Sequence, residues 1–144
     1  VAISLHIFRI IDVNFNRAKE GLRVIEDIFR FILRDNHLRK WARKVRHSLD
    51  KIVKEASFKN KLIKARSTEE DLGKDYDFLE KRRKSMEEVL YINLQRVKES
   101  LRVLEEFLKL IDEKKAGIIK KTRFKVYELE KYTFSKWPSL RNTG

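Results

Sequence analysis

Two stretches of this 144-residue chain carry the same polar side chains at the same spacing. Residues 14–33 align without a gap on residues 93–112, an offset of 79, and Asn14/Asn93, Arg17/Arg96, Lys19/Lys98, Glu20/Glu99, Arg23/Arg102 and Glu26/Glu105 are identical pairs. A guanidinium offers a rigid fork of N–H donors that matches phosphate oxygens. Arg17, Arg23, Arg96 and Arg102 are therefore candidates for clamping phosphate groups, with Arg46, Arg66 and Arg123 in a second tier. Glu20 and Glu99, each flanked by arginines of its own segment, could orient those arginines or hold a divalent cation. The same pattern also has a purely structural reading. N-x-x-R-x-x-E-x-x-R-x-x-E sets opposite charges three residues apart, and each pair stabilises a helix by a few tenths of a kcal/mol. His47, beside Arg46, has no partner motif and reads as structural or solvated, and His6 and His37 give no signal.

These residues need helices to position them. Phe15, Ala18, Leu22, Ile25, Phe29 and Ile32 recur at steps of three and four, the stripe of a core-facing helix over about 12–34, with Asp12 or Asn14 as its N-cap. Asp35 and Asn36 start a second helix reaching about Phe58, with Leu38, Trp41, Ala42, Val45, Leu49, Ile52 and Val53 inward. ARSTEEDLGKD, residues 65–75, has no stripe and reads as a loop with one turn capped by Ser67, the segment best suited to function. Ser85 with Glu88 forms a capping-box signature, and a long helix runs from about 79 or 85 to 113 on Leu90, Leu94, Val97, Leu101, Leu104, Leu108 and Ile111. A last helix carries Ile118, Ile119, Phe124, Tyr127 and Leu129 to about Tyr132. The expected fold is all-α, a bundle of four to five long helices with an internal duplication, residues 1–133 forming one domain and 134–144 an irregular tail. Gly21 and its mate Ser100 are small residues on the apolar side, where either two helices or a helix and a ligand approach closely, and close packing about a pseudo-two-fold axis is the favoured of the two.

Composition narrows the classes of function. The formal charge is +13, which favours anionic partners. There is no Cys, so disulfides, Cys-based zinc sites and a thiol nucleophile are excluded. Abundant Lys, Arg and Glu give a thermophile-like balance, so part of the charge serves stability at high temperature. No apolar run approaches a membrane span, and VAISLHIFRIID lacks the charge and apolar layout of a secretory signal, so a cytoplasmic location without membrane partners is expected. There is neither a G-x-x-x-x-G-K-[ST] loop nor a protein-kinase signature.

RIIDVNFNRAKEGLRVIEDIFRF, ARSTEEDLG, NLQRVKESLRVLEEF and TRFKVYELEK together resemble the small all-helical hydroxymethylpyrimidine phosphate kinase family of thiamine biosynthesis, found alone or fused in front of thiamine phosphate synthase. The resemblance spans about Arg9 to Lys131 and departs from the family's R-D-T-x-x-D-x-G at Ser67, which stands where an acid is usual. It implies a phosphotransferase that uses ATP and Mg²⁺ to convert hydroxymethylpyrimidine monophosphate to its pyrophosphate. For that chemistry Arg23, Arg102, Glu20 and Glu99 are the expected catalytic set. Arg17, Arg96, Asn16, Asn93, Arg46, Arg66 and Arg123 are the expected phosphate and substrate ligands, and Asp71 the metal ligand. An Asn at a helix start is more often a cap than a substrate ligand, and Asn14 is read that way. The barrel of a synthase, roughly 250 residues, does not fit in this length, so a complete synthase is not expected.

Two other classes stand beside the kinase. Charge +13 with Trp41, Tyr76, Tyr91, Tyr127 and Trp137 would suit a nucleic-acid-binding domain, but the cations are spread along every helix among acids, so nucleic acid ranks below small phosphorylated ligands. A non-catalytic helical domain partnering a thiamine phosphate synthase fits the substitution at Ser67 and the aromatic tail residues Phe134 and Trp137. Long amphipathic helices are also compatible with a homodimer.

Overall fold

Ile11, Phe15, Ala18, Leu22, Ile25 and Phe29 are all buried, so the apolar stripe of the first repeat does face the core. A computed structural model describes residues 2–66 and 84–142. The helices are α1 (Ala2–Asp27), α2 (Asn36–Val53), α3 (Ala56–Ala65), α4 (Met86–Leu108) and α5 (Glu113–Lys136). A π-helical turn, Ile28–Ile32, extends α1, and a 3₁₀ turn, Pro138–Asn142, follows α5. The fold is all-α, and no strand occurs among the described residues.

Ion pairs fix the directions of the helices. Lys19–Asp50 and Glu26–Arg46 lay α2 antiparallel to α1, and Lys98–Glu130 and Glu105–Arg123 do the same for α5 and α4. Glu55 meets Lys115 at one end of α2 and Asp35 meets Lys136 at the other, so α2 and α5 are antiparallel too. It follows that α1 and α4 run antiparallel through the middle of a four-helix bundle, two helical hairpins related by a pseudo-two-fold axis. A Cβ on Gly21 would lie 2.7 Å from Val97 Cγ2 and 3.4 Å from the Asn93 carbonyl oxygen, so the close approach expected there is present. Its mate Ser100 is buried as well. Each fully buried Leu, Ile or Phe of this core contributes roughly 1.5–3 kcal/mol.

Side-chain caps form at three helices, at Asp35 and Ser85 as the sequence predicts and at Asp112, which the sequence reading did not single out. Asp35 accepts the Leu38 N–H at 3.0 Å, Ser85 the Glu88 N–H at 3.2 Å and Asp112 the Lys115 N–H at 3.1 Å. Glu88 completes its box one residue early, on the Lys84 N–H.

Elsewhere the boundaries differ from the sequence expectation. The first helix begins ten residues before Asp12, because Ile7, Phe8 and Ile11 continue the core stripe backwards. Asp12 and Asn14 are therefore interior residues, not caps: Asn14 Nδ2 donates to the Ile10 carbonyl at 2.9 Å, and Asn93 Nδ2 to that of Val89 at 2.8 Å. Ile32 leaves the core, 55% exposed, because the wider π turn rotates it out of register. Ile111 leaves it because α4 stops at Leu108. The second helix breaks at Lys54–Glu55, and Phe58 sits on a separate α3, edge-on to Phe8 and Phe15 of α1. The last helix starts at its Asp112 cap, not near 118, and runs to Lys136. Beyond it the tail is a 3₁₀ turn that buries Leu140, not irregular chain. The expected loop lies, from Ser67 onward, outside the described residues, and so do Asp71 and Tyr76. Among the described residues no helix is long and apolar enough to cross a membrane.

Candidate functional site

The first hairpin and α3 enclose a groove of about 350 Å³ lined by Lys19, His47, Asp50, Lys51, Lys54 and Lys59. Through Lys19, Val53 and Lys59 it continues into a hollow of about 160 Å³ that reaches Asp12, Asn16 and Arg66. Each side chain arrives there by helical spacing. Asp12, Asn16 and Lys19 follow one another at four and three residues along α1, and Asp50 and Lys54 lie one turn apart on α2. Arg66 caps the end of α3.

The electrostatics suit an anion. Arg66 Nε and Nη2 donate to the two Asp12 oxygens at 2.9 and 2.7 Å, a two-pronged pair in which Asp12 is buried and Arg66 is half exposed. Those bonds and the charge of Asp12 push the Arg66 guanidinium further up, and three of its five N–H donors remain for a ligand. Lys19 bridges to Asp50 at 3.1 Å, each about one-third exposed, so Asp50 holds the ammonium at the groove without closing it off.

The second hairpin repeats the frame but not the site. Lys98 bonds Glu130 at 2.8 and 3.0 Å, as Lys19 bonds Asp50, but Gln95, the mate of Asn16, also donates to Glu130 at 3.2 Å. The mate of Asp12 is Tyr91, so the second hairpin has no counterpart of the Asp12–Arg66 pair.

The other expected residues are distributed differently. Arg46 and Arg123 turn inward: both Arg46 Nε and Nη2 reach Glu26 Oε2 at 3.1 Å, and Arg123 Nε reaches Glu105 Oε2 at 2.9 Å. Those glutamates are buried, and their pairing leaves the two arginines largely enclosed. Burial pushes the Glu105 carboxyl up, but the Arg123 bond and the charges of Arg123, Arg102 and Lys109 outweigh it and hold the group below the usual carboxylate range. Arg23 lies 3.8 Å from Glu26 and Arg102 3.5 Å from Glu105, with both arginines more than half exposed. Arg17, Arg96, Glu20 and Glu99 are exposed. Asn93 spends its amide on Val89, whereas Asn16 opens on the hollow. Of the proposed set, the structure thus gathers Asn16 and Arg66 in one place and adds Asp12, Lys19, Asp50 and Lys59, which sequence reasoning had not assigned. Asp12 carried a signal: it is a carboxylate four residues before Asn16 on an apolar-striped segment.

Among the described residues no three His, Asp or Glu side chains gather into a metal cage. Mg²⁺ that arrives on a polyphosphate needs only one or two carboxylates. Asp50 is the carboxylate that lines the groove, and it is ion-paired with Lys19.

Residues 9–132 match the ThiD2 family. Among curated relatives, the thiamine-phosphate synthase of Synechocystis sp. is 38% identical over 125 residues, 86% of this chain and 35% of the relative. That of Nostoc punctiforme is 39% identical over 125 residues, covering 86% and 34%. That of Rhodopirellula baltica is 35% identical over 127 residues, covering 88% and 34%. The chain spans about a third of the length of the curated relatives it matches. No solved structure matches it.

Proposed function

This chain belongs to the ThiD2 family, and on that premise we propose that it transfers a phosphoryl group from ATP to hydroxymethylpyrimidine monophosphate, a step of thiamine biosynthesis, using the groove of the first hairpin. The observation that carries the reading is the cationic groove ending at the Asp12–Arg66 pair beside Asn16. The relatives' names support the pathway, and the sequence resemblance supports the reaction.

The residues fit the chemistry in a specific way. The acceptor is already a phosphate, largely dianionic near neutral pH, so its oxygen attacks without a general base. The attacking oxygen forms the new P–O bond as the bond to ADP breaks, and no proton needs to be placed. What remains is charge neutralisation and alignment, which is the greater part of phosphoryl-transfer catalysis. Arg66, oriented by Asp12, grips the acceptor phosphate, and Lys19 and Lys59 neutralise the crowding of negative charge along the groove. Asn16 offers an amide that can both donate to and accept from the edge of a pyrimidine. Bound Mg²⁺ would supply further neutralisation of the phosphates, with Asp50 the groove's carboxylate able to hold it.

The test is turnover by the purified chain with Mg·ATP, ADP and pyrimidine pyrophosphate being quantified separately and the unphosphorylated pyrimidine serving as control. Product from the monophosphate alone is expected, and Arg66→Ala should raise KM for that substrate about tenfold or more. Absence of product from folded protein, also at elevated temperature, would overturn the reading. Because the match covers a third of enzymes named thiamine-phosphate synthase, a second reading has specific support: a domain that holds the pyrimidine phosphate for a synthase. Tight binding of the monophosphate without turnover is its signature.

A further inference from the structure

The groove of the first hairpin is not the largest hollow. Across α2, toward α5, a groove of about 650 Å³ is lined by Lys40, Arg43, Lys44, Lys51 and Lys125 with His47, and no carboxylate borders it. None of the five cations takes part in an ion pair among the described residues. That sets this face apart from α1, α4 and α5, which interleave signs. Lys40 and Lys44 stand four residues apart, and like charges at that spacing destabilise a helix by a few tenths of a kcal/mol. Folding gains nothing from that arrangement, whereas a polyanion would.

Two further features give the ligand its shape. Next to Lys40, toward the N-terminus of α2 and outside the groove's own lining, His37, Trp41 and Tyr132 form a cluster with ring centroids 5.2–5.8 Å apart, and His37 and Tyr132 are exposed. Trp41 lies between Lys40 and Arg43 in sequence, so rings and cations adjoin on α2. At the other end His47 and Lys51 also line the groove of the first hairpin, so the two hollows adjoin. From His37 to His47 the helix rises ~15 Å.

We propose that this face is the nucleotide subsite: the base of a nucleoside triphosphate stacks on the His37–Trp41–Tyr132 rings, and its phosphates run over Lys40, Arg43, Lys44 and Lys125 toward His47. This rests on the kinase reading and adds to it the position and direction of the donor. The terminal phosphate comes to lie at the mouth of the acceptor groove, where Lys51 serves both hollows. Stacking on exposed rings is tolerant of the base, so selectivity among purine nucleotides is weak.

Calorimetric titration of the full chain with Mg·ATP, inorganic tripolyphosphate, hydroxymethylpyrimidine monophosphate and a short single-stranded RNA tests the assignment, alongside steady-state kinetics. Lys40→Glu with Lys44→Glu, both at exposed positions, should weaken ATP at least tenfold and raise its KM, while leaving the affinity for the pyrimidine monophosphate within twofold. Tyr132→Ala should weaken ATP but not tripolyphosphate. If the charge-reversed protein binds ATP as the parent does and still turns over, the donor sits elsewhere: the subsite is refuted and the kinase reading stands. If the parent binds no ATP and forms no product, both fall. RNA that binds more tightly than ATP and displaces it would refute the subsite in favour of a nucleic-acid face.

Discussion

Arg123→Met separates a structural from a ligand-binding arginine. Arg123 was a candidate phosphate ligand on residue type, yet its Nε lies 2.9 Å from Glu105 Oε2, with 11% of its own side chain and 3% of that of Glu105 exposed. Removing one member of a buried pair costs ~3–5 kcal/mol, because the other charge is left without compensation. Here Arg102, 3.5 Å from the same carboxylate and half exposed, can swing closer and recover part of that. The expected loss is about 2–3 kcal/mol. With a urea m-value of about 2 kcal/mol/M, the unfolding midpoint should fall by about 1–1.5 M. The same substitution at Arg46 should cost a similar amount, since Glu26 keeps only Arg23, at 3.8 Å. Combining Arg123→Met with Glu105→Gln should restore part of the stability and give a coupling energy of about 1–3 kcal/mol in a double-mutant cycle. Activity per folded molecule should stay within about threefold of the parent. A loss below 0.5 kcal/mol, on the order of an ordinary surface substitution, or a collapse of activity in a stable variant, would refute the reasoning and return these arginines to the phosphate.

Two glycines should respond oppositely to alanine. Gly21→Ala drives a methyl to 2.7 Å from Val97 and should destabilise by about 1–2 kcal/mol after its helix-propensity gain. Gly117→Ala meets nothing within 4 Å inside α5 and should stabilise by up to about 1 kcal/mol, both effects being read in urea. Acid should unfold the protein through Asp35 and Glu105. Burial raises the Asp35 carboxyl, but bonds from the Leu38 N–H, Lys136 and Trp137 outweigh it and leave the group below its ordinary value, as at Glu105. A carboxyl depressed in the folded state contributes stability above its unfolded pKa, about 3.9 for Asp and 4.3 for Glu, and loses it as pH falls through the folded value. Urea midpoints should thus drop below about pH 4, and less steeply in Asp35→Asn and Glu105→Gln.

The duplication was legible because it repeats polar residues as well as apolar ones, and the caps at Asp35 and Ser85 were legible because each sits just before a striped segment. Other features followed from physics that a gapless alignment cannot show. The partners of the repeated glutamates, Arg46 and Arg123, are offset by 77 residues, not 79, so the alignment ended before them. The two additional residues of the first hairpin are taken up where α1 widens into a π turn and Arg34 adopts φ 53°. Glu26 and Glu105 looked like rungs of a surface ladder; only the docking of α2 and α5 makes them buried anchors. The site was half visible for a related reason. Asn16 and Arg66 were chosen by residue type, but the groove exists because the chain breaks at Glu55 and folds α3 back over α1, bringing together residues more than fifty positions apart.

Two hairpins that share buried glutamates, lysine bridges and a close crossing at Gly21 have the geometry of a symmetric dimer written into one chain. A true dimer of identical halves would have to carry any site twice, and each substitution would act on both copies at once. Covalent joining removes that obligation. Position 12 is Asp where its mate is Tyr91, and position 16 is Asn where its mate is Gln95, so one half can evolve toward binding while the other keeps to support. The asymmetry of the two hairpins is thus the freedom that fusion confers: specialisation of one copy without loss of the frame that both still build.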